Sequence, residues 1–235
     1  MGNDQVNWYT PEILEENYRA SISMYKFIER DFKECLEYVA LSQDHLRVYS
    51  HRFANLMLRI GPEILRLFNL ILFNPRRTAH LDYDHEIKPF LIHLQKDCQN
   101  RTDNIMDYFT AIRNVRIGGL DHVGVRVKDL EKYIIPFKTE RRPRIRRSGK
   151  RRFCSVIPWW EDGYNALRHR ATIEFKWSAT FENVLFSLAG VWVLHDGYLG
   201  FDWGFSLDSD LFEKCTDRSR IETNDLPILE YICQH

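Results

Sequence analysis

The residues best suited to chemistry lie in one short segment, from Trp159 to Arg170. Asn165 and His169 are four residues apart in it, as are Tyr164 and Arg168. Residues four apart share a face of a helix, so an imidazole, an amide, a phenol and guanidinium groups would lie along one exposed edge. Such a set can bind a phosphodiester, move a proton near neutral pH and stabilise a phosphorane without a metal. The alternative is a structural helix whose His169 and Asn165 make hydrogen bonds to a neighbouring helix.

A cluster of positive charge directly precedes that segment. The 235 residues have no formal net charge, yet residues 138–152 hold nine basic residues and one acid, and the remainder holds 24 basic against 32 acidic residues. The nine are Lys138, Arg141, Arg142, Arg144, Arg146, Arg147, Lys150, Arg151 and Arg152. Because guanidinium groups bind phosphate in bidentate fashion, the cluster favours a polyanionic partner and salt-dependent binding. Two alternatives stay open: a flexible solvated arm, or an arm that docks on the acidic body of a dimer mate.

Composition excludes several classes of protein. Apolar residues at 44% and aromatic residues at 14% suit a packed core and exclude a disordered or collagen-like chain. The longest apolar stretches, Ile64–Phe73 and Val184–Leu194, fall short of the roughly 20 residues of a membrane span. Five scattered cysteines without a C-x-x-C indicate neither a disulfide framework nor a zinc site. Without a signal peptide at residue 1, we expect a cytoplasmic protein with no membrane segment.

No metal or cofactor is expected either. The run His80–Glu86 concentrates oxygen and nitrogen ligands, but we interpret it as a loop with an Asp helix cap. Walker loops, G-x-S-x-G elbows and H-E-x-x-H motifs do not occur in the sequence.

Helical periodicity dominates the rest of the chain. The predicted helices run from Pro11 to near Asp44, from about His45 to Phe73 with a kink or break at Gly61-Pro62, over 84–97, over 103–113, from Pro158 onward, and from about Phe175 to Tyr198. The helix that opens at Pro158 would bury Trp160, Tyr164, Leu167 and Ala171. We therefore predict a mainly α protein, with residues 1–235 as a single helical domain.

Residues 114–157 look irregular beside the helical pattern of the rest of the chain. We predict that they form a basic, extended insert in that domain. Alternating valines at 123, 125 and 127 suit a short strand or an extended arm. Residues 144–153 could form a short basic β-hairpin that turns at Ser148-Gly149.

The segment from Trp159 to Arg170, called the motif segment below, resembles a known family. The run W-(x)-Y-N-x-x-R-H-R, followed by an apolar helix with A-T-(x)-E-N-V-L-x-x-L-A-G, is similar to the HEPN superfamily (higher eukaryotes and prokaryotes nucleotide-binding domain). The earlier helices, with residues 48–53 and Glu63, are also similar, which leaves the basic insert and the C-terminal tail outside. The resemblance implies an up-and-down helical bundle that usually forms a homodimer. It also implies a metal-independent ribonuclease of a toxin–antitoxin or phage-defence system.

The catalytic motif of that family is R-N-x-x-x-H, where this chain has Tyr164-Asn165-Ala-Leu-Arg168-His169. The resemblance implies that His169 is the general acid/base and Asn165 its orienting partner. Tyrosine stands at the arginine's position, and a neutral phenol cannot replace a bidentate cation on the scissile phosphate. Either Arg168 or Arg170 substitutes from the adjacent turn, or catalysis is absent.

Two functions follow from these patterns. The first is an RNA-binding protein that acts as a metal-independent endoribonuclease if His169, Asn165, Arg168 and Tyr164 are catalytic. Its expected nucleic-acid contacts are Arg141, Arg142, Arg144, Arg146, Arg147, Lys150, Arg151, Arg152 and Arg170. The alternative is a non-catalytic helical module that dimerises or binds a protein partner such as an antitoxin, with the basic arm as a tether.

Overall fold

The chain is mainly helical, with two small antiparallel sheets. The structure is a computed structural model and describes residues 11–72, 120–130, 132–145, 151–199 and 206–214. Two predicted helices, 84–97 and 103–113, lie outside these residues, as do the run His80–Glu86 and the predicted turn at Ser148-Gly149. The mainly α prediction is confirmed for the described part of the chain.

Helix α1 spans Pro11–Leu36 and turns one side into the core. Its buried positions recur every three or four residues: Leu14, Tyr18, Ser21, Tyr25, Ile28, Phe32 and Cys35. The predicted end near Asp44 is wrong. After Leu36 the chain makes a separate short 3-10 turn at Gln43–His45, and the His45 Nδ1 donates a hydrogen bond to the carbonyl oxygen of Ala40 at 2.9 Å. This local bond competes with continuation of the helix.

Helix α2 spans His51–Leu72 and runs without interruption through Pro62, so the predicted alternative of two consecutive helices is wrong. It starts at His51 rather than His45 because the Ser50 side chain accepts a hydrogen bond from the backbone N–H of Phe53 and caps the helix. The segment before it bridges Tyr49 to Thr180 instead of forming a helical turn.

The motif segment forms a π-helical turn, Trp159–Asn165, that continues as helix α3, Ala166–Ser178. Trp160, Tyr164 and Leu167 are buried, as predicted. The predicted single helix from Phe175 to Tyr198 is wrong, because α3 ends at Ser178 and a new helix α4 spans Phe181–Val193, followed by a π-helical turn at Leu194–Leu199.

The break between α3 and α4 has a clear local cause. The hydroxyl of Thr180 accepts a hydrogen bond from the backbone N–H of Asn183 at 3.2 Å and caps α4. The N–H of Phe181 donates to the carbonyl of Val48 at 2.8 Å, which ties this junction to the segment that precedes α2.

The strands fall in two groups. Strands β1 (Val125–Val127), β2 (Lys132–Ile134) and β5 (Phe212–Lys214) form an antiparallel sheet in the order β2-β1-β5. Strands β3 (Glu140–Ile145) and β4 (Arg151–Val156) form the predicted basic hairpin, paired from Glu140 with Val156 to Ile145 with Arg151.

Helices α1, α2 and α4 pack against one another around an aromatic core. Phe32 of α1 and Phe181 of α4 stack with their ring centroids 5.3 Å apart, and Phe53 of α2 lies 5.6 Å from Phe181. Within the ranges that the structure covers, no helix is long and apolar enough to cross a lipid bilayer.

Candidate nucleic-acid interface

Tyr164, the first residue of the predicted catalytic set, lies in the core. Its side chain is 4% exposed, and its ring centroid is 4.6 Å from that of Trp160. The ring covers Gly61 of α2 so closely that a Cβ at position 61 would lie 2.2 Å from two of its carbon atoms. Burial raises the pKa of the Tyr164 phenol. Tyr164 therefore joins the motif segment to α2, and its neutral phenol is not presented to solvent.

The other residues of the predicted set lie at or near the surface of α3. Asn165 is half-buried, and its Nδ2 donates to the Glu161 carboxylate at 3.4 Å. Arg168, His169 and Arg170 are all exposed. No hydrogen bond joins Asn165 to His169 in the described part of the chain, so the apo geometry does not itself orient the imidazole. The structure places three of the four predicted catalytic residues along one helix edge and the fourth in the core.

Helix α3 changes direction directly after His169. Arg170 has a non-helical backbone conformation, with φ −139° and ψ 22°. Its guanidinium forms an ion pair with Glu174 at 3.1 Å, which already occupies part of its hydrogen-bonding capacity. His169 is thus exposed at a bend of the helix.

Arg142 fastens the basic hairpin to the motif segment. Its Nη1 donates to both carboxylate oxygens of Asp162 at 2.7 Å, and its Nε and Nη2 donate to Glu140 at 3.2 and 3.0 Å. The hydrogen bond with Asp162 raises the pKa of Arg142. Arg142, predicted as a nucleic-acid contact, serves in this structure as the anchor of the hairpin.

The structure describes the remaining predicted nucleic-acid contacts to different extents. Arg141 is exposed, and its guanidinium lies 5.8 Å from the centroid of the exposed Phe153 ring. The backbone positions of Arg144, Arg151 and Arg152 belong to the paired strands, with position 144 opposite position 152. Three further predicted contacts lie outside the described residues: Arg146, Arg147 and Lys150.

A cleft of about 830 Å³ opens at the base of the hairpin. Its walls come from residues 46–49, the turn after β2, the start of β3, the motif segment and the α3–α4 junction. The Trp159 Nε1 donates to the carbonyl oxygen of Pro136, which fixes the wall between the motif segment and that turn. His169 does not line the cleft.

The cleft combines aromatic and charged side chains. The aromatic members are Tyr49, Tyr133, Trp159, Trp177 and Phe186. The cations are Arg47, Lys138 and Lys176, and the acids are Glu140, Asp162 and Glu182. Because Arg142 binds two of these acids, the cleft and its anchor together are slightly cationic. Sequence patterns do not indicate this cleft, since its walls come from segments far apart in the chain.

A buried polar network on α1, α2 and the π-helical turn after α4 was also not predicted. The Nε2 of His195 lies 3.0 Å from the Ser21 Oγ, and that hydroxyl donates to Glu63. Arg66 donates to both carboxylate oxygens of Glu63, at 3.0 and 2.9 Å. Burial lowers the pKa of His195 to about 3, and the positive charge of Arg66 adds to this effect.

The network contains a serine, a histidine and an acid but does not form a nucleophilic triad. In such a triad the acid orients the imidazole, whereas here Glu63 bonds the serine, and the His195 Nδ1 has no partner among the residues that the structure describes. Ser21 and His195 are both fully buried, so a substrate has no access to them. The signal for this network in the sequence is that polar residues, Ser21 and His195, stand at core positions of otherwise apolar helix faces.

Metal ligands do not cluster in the part of the chain that the structure covers, where no group of three or more His, Cys, Asp or Glu side chains could hold an ion. Comparison of the chain with family models, with curated proteins and with solved structures found no match.

Proposed function

We propose that this protein binds RNA through the basic hairpin β3–β4 and the exposed edge of α3. The observation that carries this proposal is the Arg142 anchor, whose ion pair with Asp162 holds the hairpin against the motif segment. His169 follows Asp162 by seven residues in the motif segment. We therefore propose that the hairpin and the exposed edge of α3 contact one RNA backbone.

The charge of the hairpin supports a polyanionic ligand. Residues 141–152 contain no acid, and the strand register sets Arg144 opposite Arg152. A phosphate backbone would neutralise such a concentration of cations, and counterions would be released from the nucleic acid.

Metal-independent cleavage is the activity that we propose to test on the bound RNA, with His169 as general acid/base. Its support is the exposed imidazole between two exposed arginines. The proposal also includes a HEPN-like arrangement of the helices, a cytoplasmic homodimer and a toxin–antitoxin or defence role, all of which rest on the resemblance of the motif segment.

A second function is favoured by one observation, the pairing of Arg142 with two carboxylates of its own chain. An arm that already binds two acids could instead tether the protein to an acidic protein partner, and the helical body would then be a non-catalytic interaction module. The two functions differ in their response to salt on nucleic acid.

The test is a salt titration of RNA binding, measured by the fluorescence anisotropy of a labelled oligonucleotide. We expect the logarithm of affinity to fall linearly with the logarithm of salt concentration, by about 0.7 per phosphate contacted on single-stranded RNA. The variant Arg144→Gln with Arg151→Gln should reduce this slope by about 1.4.

The matched control is Arg19→Gln with Lys26→Gln, which removes the same charge from the exposed side of α1. Equal slopes for the hairpin variant and for the wild-type protein would contradict the proposal. So would an absence of RNA binding at low salt, which would leave the tether to a protein partner as the better account.

A further inference from the structure

Trp177 is the most exposed aromatic side chain in the cleft. It stands on the last turn of α3 with 75% of its surface exposed, and Tyr49, which lines the same cleft, is 45% exposed. Single exposed aromatic residues are common on protein surfaces. These two differ because they line one concave site together with Arg47 and Lys176.

The backbone that carries these rings is held in place. The Asn183 Nδ2 donates to the carbonyl oxygens of Trp177 and Ser178, at 3.2 and 3.0 Å, and closes the end of α3. Tyr49 is bridged to Thr180, the cap of α4. A ligand that stacks on Trp177 or Tyr49 therefore does not have to order a loop, which is a cost that weakens binding at flexible sites.

The cleft and the hairpin together define the chemistry of the ligand. Both ends of the hairpin adjoin the cleft, since Glu140 begins β3 and Pro158 follows β4. The sequence of the hairpin is strongly basic, so a polymer that binds it is a polyanion. A polyanion that also offers flat faces to Trp177 and Tyr49 is a nucleic acid with accessible bases. In a duplex the bases are already stacked and hidden, so only unpaired bases could enter.

We infer that the cleft binds unpaired bases of single-stranded RNA by stacking on Trp177 and Tyr49, while Arg47, Lys138 and Lys176 contact the adjoining phosphates. This inference rests on the proposed RNA binding and adds a preference for single strands. Base stacking on aromatic side chains tolerates any sequence, because every base has a π face. We therefore expect little sequence specificity from the cleft.

The test compares Trp177→Ala with the wild-type protein on one labelled RNA, presented as a single strand and as a duplex. We expect single-strand affinity to fall on the order of ten-fold and duplex affinity to stay unchanged. Trp177→Phe keeps an aromatic face and should retain most of the affinity. Tyr38→Ala is the matched control, because Tyr38 is 79% exposed and lies outside the cleft. Thermal unfolding verifies that each variant folds.

The outcomes separate this inference from the proposal beneath it. If Trp177→Ala binds the single strand as tightly as the wild-type protein or Tyr38→Ala, the cleft does not hold bases and the inference is wrong. An equal loss on single strand and duplex also overturns it. In both cases the proposed function stands if the Arg144→Gln, Arg151→Gln variant weakens both forms of RNA. If the wild-type protein binds neither form, the proposed function and the inference fail together.

Discussion

The absence of a side chain at Gly61 lets the Tyr164 ring pack against α2, and this contact positions the motif segment. A Cβ at position 61 would overlap the Tyr164 ring at 2.2 Å, so Gly61→Ala forces a buried aromatic side chain to move. Alanine would gain up to about 1 kcal/mol of helix propensity, but overpacking of a core costs about 1–3 kcal/mol. We expect Gly61→Ala to lower the free energy of unfolding, measured by urea denaturation.

A double-mutant cycle isolates the contact behind that prediction. Tyr164→Leu removes ring atoms that would clash, so Gly61→Ala should cost less in the Tyr164→Leu background than in the wild-type protein. Equal costs in the two backgrounds would show that the ring does not limit the size of residue 61.

His169 is the residue on which the catalytic hypothesis depends. It is exposed, so His169→Ala should leave the unfolding temperature unchanged. If the imidazole transfers a proton, the variant should cleave RNA roughly 100-fold or more slowly in the presence of EDTA, with RNA affinity retained. Gel analysis of labelled single-stranded and structured RNA gives the cleavage rates of the wild-type protein and of the variant. RNA that stays intact with micromolar wild-type protein, or cleavage unchanged by the substitution, would remove the catalytic role.

At the scale of elements, the cap at Thr180 separates α3 from α4 and fixes the turn beside the cleft. Thr180→Ala removes the hydrogen bond from the Asn183 N–H and should cost roughly 1 kcal/mol of unfolding free energy. Thr180→Ser keeps a capping hydroxyl and is the control. A loss as large with serine as with alanine would assign the effect to the buried methyl group rather than to the cap.

The same element shows which parts of the fold the sequence could predict. Thr180, with Glu182 in the first turn of α4, is an ordinary helix start, and the break was missed because apolar periodicity continues across it from Phe175. A basic hairpin was predicted over 144–153 from the Ser148-Gly149 turn signal, whereas the paired strands extend from Glu140 to Val156 and the turn itself lies outside the described residues. The end of α1 was placed too late because Val39 keeps helical spacing after the helix has ended.

Across the whole molecule, contacts between distant segments are what sequence patterns could not reveal. Ser21 meets Glu63 and His195 from positions 42 and 174 residues away. The cleft likewise joins residues 46–49 to the α3–α4 junction. Periodicity reports only which face of a helix is buried, not which polar groups meet there. The charge asymmetry was different, because a run of nine cations is local and is readable directly from the sequence.

The buried network predicts how the stability of the whole molecule depends on pH. His195 has an ordinary pKa near 6.5 in the unfolded chain, and burial lowers it to about 3 in the folded protein. Between these values the unfolded chain binds a proton that the folded protein does not. This contribution to stability is therefore complete above pH 6.5 and is lost as the pH falls toward 3, by at most about 1.4 kcal/mol per pH unit.

Urea denaturation at several pH values between 7 and 4.5 measures this loss. His195→Gln has no imidazole and should lose less stability per pH unit than the wild-type protein over that interval. His169→Ala is the control, because it removes an exposed histidine and should keep the wild-type slope. Glu63 and Arg66 face the same network, but Glu63 is held by two hydrogen bonds from Arg66 and by Ser21. If His195→Gln kept the full slope, the acid sensitivity would not come from the buried imidazole.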